Sequence, residues 1–353
     1  MRFGVRFNQS RNKESNTMPT LVIDIHAHFT PRAVLQRYDA NAAQFPGVKL
    51  LREGNNARME FPGAPATRPM MPKLSDLADR QAWMDKNGVD HQIVGGWLDS
   101  FGYELPAAEG AAWSRFLNDC MRDELRDEKR FTPLATVPLQ DGKLAAEELG
   151  WAMDQGFGGV MIGTLPRGYG GGNLDDPSLD PFWETASKLG TAVYLHPMFI
   201  CGEPRLDDYD LVNAIGRLAD TSIAVSRLLF SGHLLKYTGL KFILSHGGAA
   251  LPYALGRLAR NHTASQGKFA DPRKGFATMY FDSCVFDTDS LEYLAHKAGV
   301  DKVMLGSDAP FPIGDPEPLK VFDGAAFTPA EKQRILSDTA QNVFRLRPDR
   351  NEK

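Results

Sequence analysis

LVIDIHAH, at residues 21–28, is an apolar run that ends in two histidines one residue apart. Similar short runs recur along the chain at intervals that leave room for a helix. They are HQIVGGW from His91, FTPLATVPL from Phe131, GGVMIGTL from Gly158, AVYLHP from Ala192, KFILSHG from Lys241, ATMYFDSC from Ala277 and KVMLGSD from Lys302. Near-continuous apolar runs are typical of parallel strands that are buried on both faces. The sequence therefore predicts eight strands in one parallel sheet.

Stretches with helical periodicity separate many of these runs. They are SDLADRQAWMDKNG from Ser75, KLAAEELGWAMDQG from Lys143, FWETASKLG from Phe182, LVNAIGRLADTSIAVSRLL from Leu211 and DSLEYLAHKAG from Asp289. Several end in glycine, as helix C-terminal caps do, and Ser75, followed by Asp76, is a candidate N-cap. Alternating strands and helices predict the α/β class and a (β/α)8 TIM-like barrel. An open doubly wound sheet is the alternative, because the sequence alone does not show whether the sheet closes.

A single catalytic domain is predicted over residues 21–345, with a loose polar N-terminal tail at 1–20 and a C-terminal tail at 346–353. Residues 29–71 are too long for a simple loop after the first strand. This insertion contains VKLLREGNNARMEF, which predicts two short strands joined by a Gly-Asn-Asn turn. Because loops at the C-terminal strand ends build the active sites of barrels, the insertion is a candidate lid or substrate wall.

Charge and composition exclude several classes of function. The net charge of -4 leaves no basic excess for nucleic acid, and no stretch of about 18 apolar residues predicts a membrane span. The three cysteines, Cys120, Cys201 and Cys284, are far apart and odd in number. They predict neither a disulfide framework nor a cysteine zinc site, and a reducing cytoplasm is the expected compartment.

Polar residues at the ends of the predicted strands form the candidate site. His26 and His28 are two residues apart in a strand, so both side chains are expected on one face. His196, His246 and Asp308 close three later apolar runs. Because barrels carry catalysis at the C-terminal ends of their strands, these five residues are expected around one pocket. Their chemistry predicts a metal site.

Imidazole nitrogen and carboxylate oxygen are ligands for zinc, and a catalytic site keeps one position open for water. The predicted ligand set for one divalent ion is His26, His28, His196 and Asp308. Zinc is the expected metal, with manganese as the alternative. His246 is then expected beside the bound water as an acid or base. Two other roles stay open for His246, as a fifth ligand or as a hydrogen-bonded barrel histidine.

Several neighbouring residues have two readings. Asp24 is expected to fix the first strand or a ligand histidine. Asp282, inside MYFDSC, is expected either to hydrogen bond near the site or to have no part in it. Trp97, Phe101 and Tyr103 follow the second predicted strand and are expected either to line an aromatic pocket or to pack in the core.

The chain resembles the amidohydrolase superfamily, and within it aminocarboxymuconate semialdehyde decarboxylase and related nonoxidative decarboxylases. The stretches that carry the resemblance are IDIHAHFTP, TVPLQD, YLHPMF, SGHLLKYTGLKFILSHGGAALPYALGRL and MLGSDAPFP. The resemblance implies a TIM-like barrel with one metal on His26, His28, His196 and Asp308, and with His246 activating the metal-bound water. Relatives with two metals carry a lysine at the end of the fourth strand, whereas GGVMIGTL has none.

The resemblance also implies two arginines that bind a substrate carboxylate. Arg68, in TRPM, matches the arginine of the long insertion, and Arg257, in LGRL, matches one that the neighbouring subunit supplies. A homodimer or higher homo-oligomer is therefore expected, while a plain salt bridge remains the alternative for each arginine. After His196 the chain has MFICGEPRLDDYD where the decarboxylase has tryptophans, so a differently shaped pocket is expected.

Together these features predict a metal-dependent carboxy-lyase that decarboxylates a small unsaturated or aromatic carboxylic acid without oxidation. Such a reaction belongs to the degradation of aromatic compounds. His246 is the predicted base, and Asp308 is both ligand and proton carrier. The alternative is that the same site hydrolyses a lactone or cyclic amide, or hydrates an unsaturated acid. A non-enzymatic binding protein would need a closed tetrahedral site without water.

Overall fold

The computed structural model of this chain describes residues 21–54, 56–198 and 203–346. The predicted tails lie outside these ranges, except for Leu346, and so does Cys201. In the described residues, eight parallel strands form one sheet and pair with one another in the order of the chain. They are β1 (Ile23–His28), β4 (His91–Gly95), β5 (Phe131–Ala135), β6 (Gly159–Gly163), β7 (Ala192–His196), β8 (Lys241–Leu244), β9 (Tyr280–Asp282) and β10 (Val303–Met304). Each predicted apolar run contains one of these strands.

Backbone hydrogen bonds join the last strand to the first and close the sheet into a barrel. Ile25 N donates to Leu305 O at 2.8 Å, and Asp308 N donates to His26 O at 2.7 Å. A Cβ at Gly306 would lie 3.0 Å from His26 Cβ, so glycine permits this close approach. The barrel prediction is confirmed, and the open doubly wound sheet is excluded.

Helices surround the barrel on the outside. They are α1 (Arg32–Asn41), α2 (Leu77–Asn87), α3 (Ala107–Leu125), α4 (Gly142–Asp154), α5 (Asp180–Leu189), α6 (Arg217–Ser231), α7 (His233–Lys236), α8 (Leu251–Ala264), α9 (Pro272–Phe276), α10 (Thr288–Ala298), α11 (Pro329–Gln333) and α12 (Thr339–Phe344). Within the described part of the chain, none of the helices has the length and apolar character that crossing a bilayer requires.

Helix ends follow the sequence signals, with two differences. Gly88 and Gly190 end α2 and α5 in the left-handed conformation, as expected of glycine caps. The N-cap of α2 is Asp76 and not Ser75, because the Asp76 carboxylate accepts the backbone N–H three residues on. The helix predicted from Leu211 is π-helical over Val212–Gly216, and α6 begins after it. The hydrogen bonds of a π-helical segment span five residues and interrupt the α-helical pattern, so the α-helix begins later than the sequence predicts.

Between β1 and α2 the chain forms α1 and a two-stranded antiparallel hairpin, β2 (Lys49–Glu53) and β3 (Asn56–Glu60). The predicted pair of short strands is confirmed, although Asn56 belongs to the second strand and not to the turn. Apolar side chains from this segment pack with Trp113 of α3 in a cluster of their own. The segment is therefore fixed to the outside of the barrel by burial of apolar surface.

Candidate metal centre

The barrel brings the five predicted strand-end residues together. Neighbouring imidazole rings of His26, His28, His196 and His246 have centroids 4.8 to 5.4 Å apart. His26, His28 and His196 lie in strands, whereas His246 lies two residues beyond β8. Asp308 reaches the same point from the loop after β10. All but His246 are fully buried, and the His246 side chain is 13% exposed.

Hydrogen bonds fix which nitrogen of each buried imidazole faces the centre. Nδ1 of His26 lies 2.6 Å from Asp282 Oδ2, Nδ1 of His28 lies 3.0 Å from Gly96 O, and Nδ1 of His196 lies 2.9 Å from Pro197 O. Because these oxygens only accept, each Nδ1 carries the proton. The Nε2 atoms of all three rings are buried and accept no hydrogen bond. Three lone pairs therefore point toward one place.

Asp308 completes the set of buried lone pairs. Its Oδ1 has no hydrogen-bond donor and lies 3.3 Å from His26 Nε2 and 3.1 Å from His28 Nε2. Ligands that are about 2.1 Å from one ion lie about 3.0 to 3.4 Å from each other in octahedral or tetrahedral geometry. The unsatisfied acceptors thus have the spacing of metal ligands, and a divalent cation fits the residues that are present.

His246 is also within reach of such an ion. One ligand atom each from His26, His196, His246 and Asp308 lie within 4.8 Å of one another. His28 is outside that group of four, although its Nε2 faces the same Asp308 oxygen. Both the predicted four-residue set and His246 as a further ligand are compatible with these distances.

Burial and neighbouring groups favour the protonation states in which His196 and Asp308 can bind a metal ion. Burial, with the charges of the neighbouring histidines, lowers the pKa of His196 well below 6.5, so that ring is neutral. Burial alone would raise the pKa of Asp308. The imidazole of His26, together with those of His246 and His28, instead holds that pKa well below 3.8. A neutral imidazole and an ionised carboxylate are the forms that bind metal.

Asp282 holds several residues of the site in position through hydrogen bonds. Its carboxylate is fully buried and accepts the Tyr194 hydroxyl at 2.8 Å, the His246 N–H at 3.0 Å and the Gly247 N–H at 2.8 Å, besides the contact with His26. A carboxylate on the second nitrogen of a ligand histidine fixes its orientation and makes it a stronger ligand. The expectation that Asp282 hydrogen bonds near the site is met.

Two of the site residues have strained backbones. His246 has φ of 53° and Asp308 has φ of 59°, in the left-handed region that residues other than glycine seldom adopt. The N–H groups of both residues are held, by Asp282 and by His26 O respectively. Strain that is maintained by the surrounding hydrogen bonds is a common feature of functional sites.

Asp24 and Arg80 support the strand ends from below the site. Asp24 accepts the His26 N–H at 3.0 Å and the Ser307 hydroxyl at 2.6 Å, which ties β1 to the chain after β10. The Arg80 guanidinium is 3% exposed and donates to His28 O at 2.6 Å and to Ala309 O at 3.4 Å. The predicted role of Asp24 is met, while Arg80 carried no signal in the sequence beyond its place in a helix.

The two predicted carboxylate-binding arginines do not line the cavity at the histidines. Nε and Nη2 of Arg68 both donate to Asp99 Oδ2 at 3.1 Å, and the Arg68 side chain is 43% exposed. Arg257 is exposed on α8. Neither is among the described residues that line the cavity next to His246 and Asp308.

The aromatic residues after β4 belong to the interior. Trp97, Phe101 and Tyr103 are 4%, 2% and 1% exposed, and the last two pack in the main core. Core packing is therefore a role of all three, and Trp97 and Phe101 also line a small cavity of about 20 Å3.

Curated proteins of known activity are similar to this chain over most of its length. It is 30% identical to 2-amino-3-carboxymuconate-6-semialdehyde decarboxylase of Dictyostelium discoideum over 275 residues, which is 76% of each protein. It is 28% identical to gamma-resorcylate decarboxylase of Polaromonas sp. over 306 residues, which is 78% of this chain and 89% of the relative.

Solved structures share the fold, and one of them contains manganese. 5-carboxyvanillate decarboxylase from Sphingomonas paucimobilis superimposes with a TM-score of 0.75 at 23% identity, covering 93% of this chain and 99% of the other. Dihydroxybenzoic acid decarboxylase from Polaromonas sp., solved with manganese and the inhibitor 2-nitroresorcinol, has a TM-score of 0.74 at 22% identity, covering 94% and 99%. The amidohydrolase family model matches residues 23–346. The chain therefore belongs to the amidohydrolase family.

Proposed function

We propose that this protein is a metal-dependent nonoxidative decarboxylase of a small aromatic or unsaturated carboxylic acid. The observation that carries the proposal is the group of buried acceptors, Nε2 of His26, His28 and His196 and Oδ1 of Asp308, which no protein donor satisfies. Burying such acceptors is costly unless a cation takes their lone pairs. The decarboxylase activity of the curated relatives gives the reaction class.

His26, His28, His196 and Asp308 are the proposed ligands of one divalent ion. Imidazole and carboxylate suit both zinc and manganese, and the solved relative from Polaromonas sp. contains manganese. The proposed metal is therefore either of the two, and zinc has no special support. When bound, the ion would supply Lewis acidity to substrate oxygens and hold the substrate at the site.

His246, which the sequence predicts as the base that activates the metal-bound water, is also the proposed proton carrier, and it acts as an acid when it protonates the substrate. Its Nε2 lies 3.7 Å from Asp308 Oδ2, it is the most exposed of the four histidines, and it borders the cavity. In the proposed reaction His246 gives its proton to the ring carbon that bears the carboxylate. The bond to the carboxylate carbon then breaks, its electron pair returns to the ring, and carbon dioxide leaves. His246 regains a proton from solvent, so the reaction consumes one proton for each carbon dioxide released.

The hydrolytic alternative uses the same residues and is not favoured. Hydrolysis of a lactone or cyclic amide would need His246 as a base and not as an acid, and the site does not forbid it. Both curated relatives described above are decarboxylases. Hydration of an unsaturated acid has no additional support.

A homodimer is the proposed assembly, in which Arg257 serves the neighbouring site. Tyr253 and Arg257 are four residues apart on α8 and share one face of that helix, and Tyr253 is 86% exposed. Ile223, on the adjacent helix α6, is 64% exposed. Exposed large apolar side chains beside a cation are typical of a surface that another chain covers. Sedimentation of the wild type and of Tyr253→Glu tests this assembly.

Arg68 is proposed to contact the substrate carboxylate. Residues 29–71, which contain Arg68, would then act as the predicted lid or wall.

The cytoplasm is the proposed compartment. It rests on two buried thiols, Cys120 and Cys284, that are not in a disulfide.

The decarboxylase proposal is tested by carbon dioxide release. Protein loaded with manganese or zinc is incubated with 2,6-dihydroxybenzoate and with 5-carboxyvanillate, and both the gas and the ring product are measured. We expect carbon dioxide and the decarboxylated phenol in equal amounts, and none after chelation of the metal. Ring-opened acid from lactones, without carbon dioxide from any aromatic acid, would contradict the proposal and favour the hydrolase.

A further inference from the structure

Tyr194 is a fully buried residue of the barrel interior that the proposed reaction does not use. It lies in β7 two residues before His196, and because side chains two apart on a strand share a face, both point into the barrel. The Tyr194 ring lies beside the ring of His26, with centroids 5.3 Å apart. The Tyr194 hydroxyl donates to Asp282 Oδ2 at 2.8 Å. The protein therefore already satisfies this hydroxyl, which is not one of the acceptors that would bind an ion.

The strands that carry Tyr194 and His26 lie on opposite sides of the barrel. β1 carries His26, and β7 carries both Tyr194 and His196. Around the closed sheet, three strands separate β1 from β7 in either direction. Backbone hydrogen bonds of a sheet join only neighbouring strands. Contact between these two strands therefore depends on side chains in the barrel interior.

Asp282, in β9, links the two strands. Its Oδ2 accepts the Tyr194 hydroxyl and lies 2.6 Å from Nδ1 of His26. The other donors to this carboxylate are backbone N–H groups at 2.8 to 3.1 Å, those of His246, Gly247 and Cys284. Among the hydrogen bonds of the described residues, the Tyr194 hydroxyl is thus the one by which β7 holds Asp282.

The hydroxyl and the imidazole N–H share one carboxylate oxygen. Without the hydroxyl, Asp282 would keep its bond to His26 but would lose the donor that fixes this oxygen from the side of β7. A displaced oxygen turns the His26 ring, and with it the direction of the Nε2 lone pair. The orientation of a ligand histidine depends on the partner of its second nitrogen in this way.

We propose that Tyr194 is a positioning residue of the metal centre, whose hydroxyl holds the Asp282 carboxylate against His26 from the opposite side of the barrel. It thereby fixes two proposed ligands, His26 and His196, relative to each other, although their strands share no backbone hydrogen bond. The inference rests on the metal centre of the proposed function and does not depend on the reaction that takes place there.

Tyr194→Phe tests the inference, because it removes the hydroxyl and keeps the ring. Tyr38→Phe is the matched control, since the buried Tyr38 hydroxyl also donates one hydrogen bond, to Val48 O at 2.5 Å, in the cluster outside the barrel. Manganese affinity is measured without substrate, in competition with a chelator. The visible absorption of the cobalt-substituted proteins reports the arrangement of the ligands. Asp282→Asn and the variant that combines it with Tyr194→Phe complete a double-mutant cycle.

We expect Tyr194→Phe to weaken manganese binding by about tenfold, the lower end of the range for residues that bond a ligand histidine directly, because Tyr194 acts one contact further away. Its cobalt spectrum should differ from that of the wild type. Tyr38→Phe should bind manganese within about twofold of the wild type, with an unchanged cobalt spectrum. In the Asp282→Asn background, Tyr194→Phe should change the affinity by less than about threefold, because the carboxylate through which it acts is gone.

Four results would overturn the inference. They are an unchanged manganese affinity or cobalt spectrum in Tyr194→Phe, an equal loss of affinity in Tyr38→Phe, the same further loss in the Asp282→Asn background, and a metal-free Tyr194→Phe that shows no cooperative melting. The last result would make the hydroxyl a requirement of the barrel itself. A wild type that binds no manganese would reject the metal centre and the proposed function together with this inference. Metal binding without carbon dioxide release would reject the proposed reaction alone.

Discussion

Replacing Asp220 with asparagine is expected to stabilise the protein at neutral pH but not in acid. Asp220 lies on α6, and its carboxylate accepts the hydroxyl of Thr164, just after β6, and the backbone N–H of Met198, just after β7. Burial raises the pKa of Asp220 from 3.8 to about 6, and these hydrogen bonds offset only part of that rise. The ionised carboxylate is therefore a cost to the folded state at neutral pH.

The magnitude follows from the pKa. A rise from 3.8 to about 6 corresponds to about 3 kcal/mol, at about 1.4 kcal/mol for each pH unit. Because the folded-state pKa is the higher one, the protonated acid contributes this stability fully below pH 4 and loses it as the pH rises through 6. Asparagine does not titrate. Its weaker, neutral hydrogen bonds offset about 1 kcal/mol, so the net gain at pH 7 is about 2 kcal/mol.

Urea unfolding of the metal-free wild type and Asp220→Asn, between pH 4 and pH 8, measures this difference. Metal is removed from both proteins so that its release in acid does not contribute. Asp301→Asn, which removes an exposed carboxylate, is the control and should stay within about 0.5 kcal/mol of the wild type at every pH. An unchanged free energy of unfolding at pH 7, or a gain that does not depend on pH, would refute the reasoning.

Three further changes test the site and its support. His246→Asn should lower kcat by about 100- to 10,000-fold with unchanged metal content; loss of the metal as well would make His246 a ligand. Asp282→Asn should weaken metal binding by about 10- to 100-fold in competition with a chelator, because His26 loses its oriented acceptor; unchanged affinity would remove Asp282 from the site. Arg80→Met should lower the free energy of unfolding in urea by about 3 kcal/mol, because buried carbonyls lose their donor, and an effect below 1 kcal/mol would contradict that.

The barrel and the five clustered residues were predictable because strand patterns are local. An apolar run followed by histidine or aspartate identifies a strand and its end, and in a barrel all such ends meet on one face. His26 and His196 were placed in this way. The rule does not say how far beyond the end of its strand each residue lies. Asp308 lies four residues beyond β10 and His246 two residues beyond β8, and their left-handed backbones are not visible in the sequence.

Contacts between distant segments were not predictable. Asp282 was recognisable as an inward-facing residue of a strand, but its bond to His26 depends on the register of two strands far apart in the chain. The Tyr194 hydroxyl could have been anticipated, because Tyr194 is two residues before His196 and faces the same side. Nothing in the sequence pairs Asp220 with Thr164, or places Arg80 against the carbonyl of His28.

The most direct test of the central claim is the metal content of three purified proteins. Elemental analysis of the wild type, His196→Ala and His91→Ala compares a proposed ligand with a histidine at the opposite end of the barrel, where His91 bonds Thr132. We predict about one manganese or zinc ion per chain in the wild type and in His91→Ala, and none in His196→Ala. A wild type without metal, or a His196→Ala variant that keeps its full content, would contradict the metal centre on which the proposed function depends.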